Sequence, residues 1–467
     1  MTANPLAPEW LALPEDANAL TPGVWSSSAT RDVGGDICLG GVSAASLVQE
    51  FGTPLYVIDE ADARARAEHI RQTFERAFGA IGTSVTVYYA GKAFLCTEVA
   101  RWMDAAGLKL DVATGGELAV ALAAGTPGAH IGLHGNNKSE AEIARAIDNG
   151  VDTIVIDSAI EIDRVARAAT RAGIVQRVRL RVNSGVHAHT HEYLATAHED
   201  QKFGTSLFHA PELVARIREH EHLVFVGLHC HIGSQIFDSA GFAESARRLL
   251  DLHASLLAEG DVPELNLGGG FGIAYTAADR PADISVIADE MAQAVGEACH
   301  RLGIPVPHIC IEPGRAIVGP AGVTLYTVGT TKRVSVEVPG RENAERLYVS
   351  VDGGMSDNAR PALYGADYSV RLASRVSSVA PALVRVAGKH CESGDILVNA
   401  DYLPGDIEVG DVVAIPATGA YCFSLANNYN YVARPAVVAV RDGAARVIVR
   451  GETESDLLAR DVGIERT

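Results

Sequence analysis

What this chain of 467 residues lacks narrows the field first. It has no C-x-x-C pair: Cys38, Cys96, Cys230, Cys299, Cys310, Cys391 and Cys422 are scattered, and an odd, dispersed set suits reduced thiols better than a disulfide framework. It has no excess of positive charge. Lys and Arg number 39 against 58 Asp and Glu, a formal charge of −19, so no binding to nucleic acid or to an anionic membrane is expected. No apolar run is long enough to span a bilayer. The start, Met1-Thr-Ala-Asn-Pro-Leu-Ala-Pro-Glu9, has neither a basic n-region nor an apolar h-region, so a cytoplasmic protein is expected. Internal repeats and low-complexity tracts are missing too. What remains is an ordinary globular composition, 48% hydrophobic and 21% charged, over a length that suits two domains.

The first forty residues, rich in Pro, Ser, Asp and Gly, read as an irregular lead-in or arm. From about Ala61, short β-branched runs alternate with Ala/Arg/Glu-rich stretches of helical spacing. The expected strands are Val85–Tyr89, Leu108–Val112, His130–Leu133, Thr153–Ile156, Val178–Val182, Val224–His229, Glu264–Leu267 and His308–Ile311. Strands alternating with helices in this number predict a TIM-like (β/α)8 barrel, with a doubly wound sheet as the runner-up. The barrel is preferred because Lys92, Thr114, His134, Asp157, Asn183, His231, Gly268–Gly270 and Glu312 all fall at or just past the C-terminal end of a strand, the rim on which barrel active sites are built. After about Gly319 the pattern turns to strands with few helices: Val323–Val328, Arg346–Val351, Tyr368–Leu372, Ala382–Val386, Val412–Ile415 and Val437–Val440. The expected division is residues 1–60 as an arm plus a strand, Pro54–Asp59, joining the β domain; 61–320 as the barrel; and 321–467 as a β-sandwich or β-barrel domain.

Two residues give this scaffold its chemistry. Lys92 ends the stretch Val85-Thr-Val-Tyr-Tyr-Ala-Gly-Lys92, and Glu312 opens Glu312-Pro-Gly-Arg315 after His308-Ile-Cys-Ile311. An amine for an aldehyde and a carboxylate for a ring nitrogen are what pyridoxal phosphate requires. A lysine is more often a solvated surface residue, but this one ends a strand beside the other rim groups. Gly268-Gly-Gly-Phe-Gly272 could cradle a phosphate on backbone N–H groups. It fails the G-x-G-x-x-G dinucleotide pattern, since Ile273 stands where the last glycine would be. His229 and His231 are expected to divide between the site and the barrel wall. A metal set formed with His187, His189 and His191 is weighed and set aside, because zinc-type spacing is missing; that cluster reads as a polar loop, and 187–204 is long enough to act as a lid. Arg360 and Tyr364, in Arg360-Pro-Ala-Leu-Tyr364, suit a carboxylate. Cys391-Glu-Ser-Gly-Asp395 places a thiol acid beside an anion that could meet an ammonium.

Together with Tyr89-Ala-Gly-Lys-Ala93, His134-Gly-Asn-Asn-Lys-Ser139, His229-Cys-His-Ile-Gly-Ser-Gln235 and Gly419-Ala-Tyr421, these motifs resemble the diaminopimelate decarboxylases, fold-type III pyridoxal-phosphate enzymes, from about Pro54 to about Pro435. The resemblance implies decarboxylation of meso-2,6-diaminopimelate to L-lysine, the last step of lysine biosynthesis. It implies that Lys92 holds the cofactor, His231 stacks on its ring and Asp111 tunes Lys92. Ser234, Gly268, Gly269, Gly270 and Tyr421 would bind the phosphate, and Glu312 would pair with the ring nitrogen. Arg315, Arg360 and Tyr364 would hold the distal carboxylate of the substrate, with Tyr421 also on the substrate side. Cys391 and Glu392 would come from the partner subunit of a homodimer, Cys391 as proton donor with Lys92 or His231 as rival. Two departures from the family pattern are Ser184, where proline is commoner, and Cys422, where glycine is. An ornithine- or arginine-type decarboxylase, a racemase and a non-catalytic cofactor-binding homologue are the competing readings.

Overall fold

The computed structural model describes residues 4–186, 202–340 and 343–463. Contacts divide the chain into two units, one of Arg64–Gly272 with Pro281–Ile317 and the other of Met1–Ala63, Ile273–Arg280 and Val318–Thr467. The division expected from sequence, at 60/61 and 320/321, leaves out the segment Ile273–Arg280. That segment lies between a barrel strand and its helix in the chain but packs with the β unit, where Tyr275 N and Thr276 N both donate to Asp279.

The first unit is a closed barrel of eight parallel strands: β1 Val85–Ala90, β2 Lys109–Val112, β3 Ile131–Leu133, β4 Thr153–Ile156, β5 Gln176–Asn183, β6 Leu223–His229, β7 Glu264–Asn266 and β8 His308–Ile311. Each pairs with the next, and β8 returns to β1 through Ile309↔Val85 and Ile311↔Val87. Strands covered on both faces need unbroken apolar runs rather than alternation; Thr153-Ile-Val-Ile156 is such a run, buried throughout. The helices between strands stop where local chemistry stops them. Ser139 and Glu142 close a capping box at the start of Glu140–Asp148, satisfying N–H groups that the helix leaves without partners.

Charges, not only apolar groups, fill the barrel where β5 and β7 begin. Arg179 on β5 is buried, yet its guanidinium donates to Glu264 Oε2 from Nη2 at 2.6 Å and from Nε at 3.1 Å, and lies over the Tyr88 ring. Arg177 also reaches Glu264 and, 3.2 Å away, Asp152, which Lys109 holds at 2.8 Å. Buried charge is tolerated only when paired in this way.

The second unit is a nine-stranded mixed sheet. Its long strand β9, Gly322–Val336, pairs antiparallel with β10, Ala344–Val351, and with the strand Leu55–Asp59. The short β11, Arg371–Leu372, pairs with β14, Val412–Pro416, which pairs with β9. Beyond β10 lie β12, Pro381–Ala387, and β13, Ile396–Pro404; beyond Leu55–Asp59 lie β15, Ala436–Arg441, and β16, Ala444–Val449. Three differences from the sequence reading stand out. The N-terminal region forms a small three-stranded sheet, Thr30–Arg31, Ile37–Leu39 and Val42–Ser43, and the helix Ala44–Phe51, instead of an irregular arm. Its Val24, Trp25, Ile37, Leu39 and Leu47 enter the same core as Val57, Val323 and Val438, which supplies the order that local propensity does not. Strand β13 escapes the pattern because Asn399 and Asp401 interrupt it; Asp401 is buried against Arg371 at 2.9 Å. The run Tyr368–Leu372 is strand only over Arg371–Leu372.

Candidate active site

Glu312 follows β8, and its backbone N–H donates to Gly268 O at 2.8 Å, tying the ends of β7 and β8 together. Its side chain is buried, a setting in which an isolated carboxyl takes up a proton. This one has company. Asn266 Nδ2, at the end of β7, donates to Oε1 at 2.7 Å; His229 Nε2, at the end of β6, meets Oε2 at 3.2 Å; His134 Nε2, just after β3, stands 3.4 Å from Oε1. Burial opposes the charge, but the His229 and His134 imidazoles, the His229 hydrogen bond and the Lys92 ammonium outweigh it and hold Glu312 well below the ordinary carboxyl range. Burial also pushes His134 and His229 down; the His229 ring hydrogen-bonds Glu312, and His134 stands between Glu312 and Asp111. A carboxylate only accepts, so the His229 proton sits on Nε2; its buried Nδ1 has no partner among the described residues.

Lys92 lies on the tight turn Gly91–Ala93 after β1, its side chain 43% exposed and its Nζ 3.9 Å from Asp111 Oδ2 on β2. Asp111 is buried, 3.5 Å from His134 Nε2. Burial, and next the negative charge of Glu312, push Asp111 up to about 8 against the pull of Lys92. Two buried carboxyls of one cluster therefore part company: Glu312 carries the charge, Asp111 the proton. His231 is half-buried, and its Nδ1 accepts the N–H of Gly269 at 3.3 Å. Burial, followed by repulsion from Lys92, lowers it to about 3, so it presents a neutral ring. The expectation that His229 and His231 face opposite ways is corrected. Residues two apart on a strand share a face, and both rings feel Glu312.

The glycine turn has a geometric reason. A Cβ built on Gly269 would stand 1.9 Å from Glu312 O, and Gly268 holds φ +70° with Cys230 O at 2.4 Å from such a Cβ. Only glycine fits so close an approach of three strand ends. Beside it, Arg315 Nη2 donates to Ser234 Oγ at 2.9 Å, so a residue expected on the substrate side and one expected on the phosphate side share a hydrogen bond. A neutral ring, a tight backbone cradle with a hydroxyl and a guanidinium, an amine and a buried anion make a donor set that fits pyridoxal phosphate.

The remaining expected residues belong to the β unit. Arg360 is 7% exposed; its Nη1 donates to Tyr368 OH at 2.6 Å, and its guanidinium lies 4.5 Å above the Tyr275 ring. Cys422, the departure from glycine, is buried with Sγ 3.7 Å from the same Tyr368 hydroxyl. Tyr364, Cys391 and Glu392 are exposed, and Tyr421 is half-buried at φ 62°. Two rim residues turn out to be local fasteners: Thr114 caps the helix Gly115–Ala123 by accepting from Glu117 N, and Asn183 Oδ1 accepts from Gly185 N. Ser184, the other departure, is buried and bonded by Ser245 at 2.9 Å. His187, His189 and His191 lie outside the described residues, as does most of the 187–204 stretch. His134, His229 and Glu312 do bring three potential ligand atoms within 4.8 Å of one another. Reading the sequence missed His134 and Asn266 as partners of Glu312; their only signal was a polar residue at the end of an apolar strand.

A (β/α)8 barrel whose rim carries a lysine beside a charged, buried carboxylate and a glycine cradle defines the pyridoxal-phosphate-dependent barrel decarboxylases, and residues 67–319 match the model of the pyridoxal-dependent decarboxylase, pyridoxal binding domain. The chain is 50% identical over 451 residues to the diaminopimelate decarboxylase of Mycobacterium tuberculosis, covering 95% of this chain and 98% of that one. Against the Bacillus subtilis enzyme of the same name it is 44% identical over 434 residues, 92% and 95% of the two chains. Among solved structures it is similar to the M. jannaschii diaminopimelate decarboxylase in complex with L-lysine, with TM-score 0.85, 32% identity and coverage of 94% and 98%. The chain belongs to the diaminopimelate decarboxylase family of carboxy-lyases, and its cofactor is pyridoxal 5′-phosphate. Among the described residues, no helix is long and apolar enough to cross a membrane.

Proposed function

We propose that this chain removes CO2 from meso-2,6-diaminopimelate to give L-lysine, as a cytoplasmic homodimer, through the residues above. The observation that carries the reading is the geometry of the barrel cluster: a buried Glu312 carboxyl held by Asn266, His229 and His134, with the Lys92 amine on the same rim beside Asp111. Pyridoxal phosphate, when bound, supplies an aldehyde for the substrate amine and a ring that takes up the electrons of the broken carboxylate bond.

The protein's part is to hold, orient and move protons. Lys92 is the amine that would hold the cofactor. Glu312 would hold a proton at the ring nitrogen, a task for an anion; burial resists that charge, and its histidine and asparagine partners favour it. Neutral His231 offers a flat, uncharged face for stacking. Ser234, Gly268–Gly270 and Tyr421 form the phosphate subsite, and Arg315, bonded to Ser234, borders it. Arg360, a cation at any working pH, joins Arg315 and Tyr364 in receiving the distal carboxylate, while Glu392 receives the distal ammonium. Reading both groups at once selects which end of a meso substrate reacts. Cys391 returns a proton to the α-carbon that has lost CO2, with Lys92 and His231 as rivals for the same step. Cys391 and Glu392 of a second copy complete each site.

The test is CO2 release by purified, cofactor-loaded protein given meso-diaminopimelate, with ornithine, arginine and lysine in parallel. Release from diaminopimelate alone, with L-lysine as product, is the expected result. Cofactor-coloured protein that releases nothing from any of the four overturns the assignment.

A further inference from the structure

Three segments of the β unit carry the expected substrate-side residues: 353–364 with Arg360 and Tyr364, 388–395 with Cys391 and Glu392, and 421–431 with Tyr421. All three meet at His390, which no functional reading uses. His390 is 8% exposed. Its Nε2 lies 2.8 Å from Ser356 Oγ on the first segment, and its Nδ1 lies 3.2 Å from Asn430 Oδ1 on the third. The ring stacks on Tyr429 at 5.4 Å, with the planes 29° apart.

One bond orients the Asn430 amide. Asn430 Oδ1 accepts the backbone N–H of Cys391 at 3.3 Å, so that atom is the carbonyl oxygen and not the amide nitrogen. His390 Nδ1 faces the same oxygen and must donate. In the neutral ring Nε2 is then the acceptor of the Ser356 O–H. The backbone is fastened just as closely: Asp395 accepts His390 N–H at 2.8 Å and Met355 N–H at 2.6 Å, and Glu392 N–H returns to His390 O at 2.8 Å. Asn430 reaches this place at φ 51°, a left-handed conformation that asparagine tolerates better than most residues. A serine, a histidine and an asparagine in this order also resemble a nucleophile relay. Ser356 is only 3% exposed, which closes its hydroxyl to a substrate. The side of the network that opens to solvent is the turn bearing Cys391 and Glu392, both exposed.

We propose that Ser356, His390 and Asn430 are positioning residues that clamp the Cys391–Glu392 turn in the one conformation able to deliver the thiol proton. The inference rests on the proton-donor role proposed above for Cys391. A turn whose tip projects from its own subunit would otherwise sample many conformations, and an acid displaced by about 1 Å can lose a hundredfold in rate.

The test uses cofactor-loaded enzyme and three variants. Asn430→Gly removes the acceptor while relieving the left-handed strain, so it separates the hydrogen bonds from backbone shape. Asn430→Asp keeps an acceptor oxygen. His390→Phe keeps a ring against Tyr429 and loses both side-chain bonds. Order at the turn is read from the electron paramagnetic resonance line shape of a nitroxide on Cys391 in a Cys38→Ser background, because Cys38 is the one other cysteine not buried. Unlabelled proteins give kcat and KM. The expected result is a sharpened, mobile line in Asn430→Gly and His390→Phe. In both, kcat falls by about tenfold or more with KM within about threefold, and Asn430→Asp matches the parent in both readouts. A parent-like line and kcat in Asn430→Gly overturn the proposal, and so does a mobile line with unchanged kcat. If the parent itself releases no CO2, the decarboxylase reading fails, and the line shapes alone then decide whether the clamp exists. Should His390→Phe not fold, the two Asn430 variants carry the same contrast.

Discussion

At the scale of single residues, the chemistry of the barrel site is decided by where protons rest. Glu312 and Asp111 are both buried, yet they shift in opposite directions, because Asn266 and His229 hydrogen-bond Glu312 and His134 stands beside it, while burial and the Glu312 charge push Asp111 up. Glu312→Gln keeps the size and loses the charge. We expect turnover to fall by about a hundredfold or more, measured as CO2 release, while absorbance still reports bound cofactor. His253 illustrates the opposite case, a buried ring with no task. It sits in the helix Ala240–Leu257, its Nδ1 has no partner among the described residues, and burial lowers it to about 4. Below pH 6.5 the unfolded chain binds a proton that the folded chain refuses until about pH 4. Stability is therefore fully present above pH 6.5 and is lost as the pH falls through that window. His253→Leu should shrink the loss of stability between pH 7 and 4.5 by about 2 kcal/mol, read from denaturant midpoints at the two pH values. Equal losses in both proteins would refute the assignment.

Elements bring these residues to one place. Strands β2, β3, β6, β7 and β8 each contribute the side chain at or just past their end, and the turn after β7 passes so close to Glu312 O that a side chain is excluded. Gly269→Ala should push apart the ends of β7 and β8. The expected cost is about 1–3 kcal/mol in stability together with weakened cofactor binding, seen in a melting curve and a cofactor titration. A variant with unchanged affinity would show that the turn adapts. Most barrel strands were legible from sequence to within one or two residues, because fully buried parallel strands are written as unbroken apolar runs. Strand β13 was not, since its Asp401 finds its ion-pair partner thirty residues upstream, on β11, and local polarity hides the burial. The N-terminal sheet was hidden for a related reason: loop-like composition is ordered by a core made of distant residues.

At the scale of the molecule, the residues proposed for one reaction are divided between a barrel unit and a β unit, and Cys391 and Glu392 stand exposed on the latter. If a second copy completes each site, Lys92→Ala and Cys391→Ala subunits are each impaired alone and complement when mixed. Random pairing makes half the dimers mixed, and each mixed dimer has one site free of both changes, so about a quarter of parental activity should return for a two-fold dimer. Mixtures no more active than the separate variants would place Cys391 in its own subunit's site.

The sequence by itself determined which chemistry was available. A lysine and a glutamate at strand ends, a glycine run and an arginine-tyrosine pair are local facts, and apolar runs alternating with helical spacing dictate strands and helices wherever the chain lies. Only the tertiary structure decided how those groups behave. His134, Asn266 and His229 meet Glu312 because the barrel closes, across separations of 46 residues and more. Ile273–Arg280 leaves the unit that flanks it, and His390 gathers three distant segments through Ser356 and Asn430. Spacing along a chain predicts direction and face within one element. The protonation of a buried group depends on what surrounds it in three dimensions, and that environment forms only when distant elements pack.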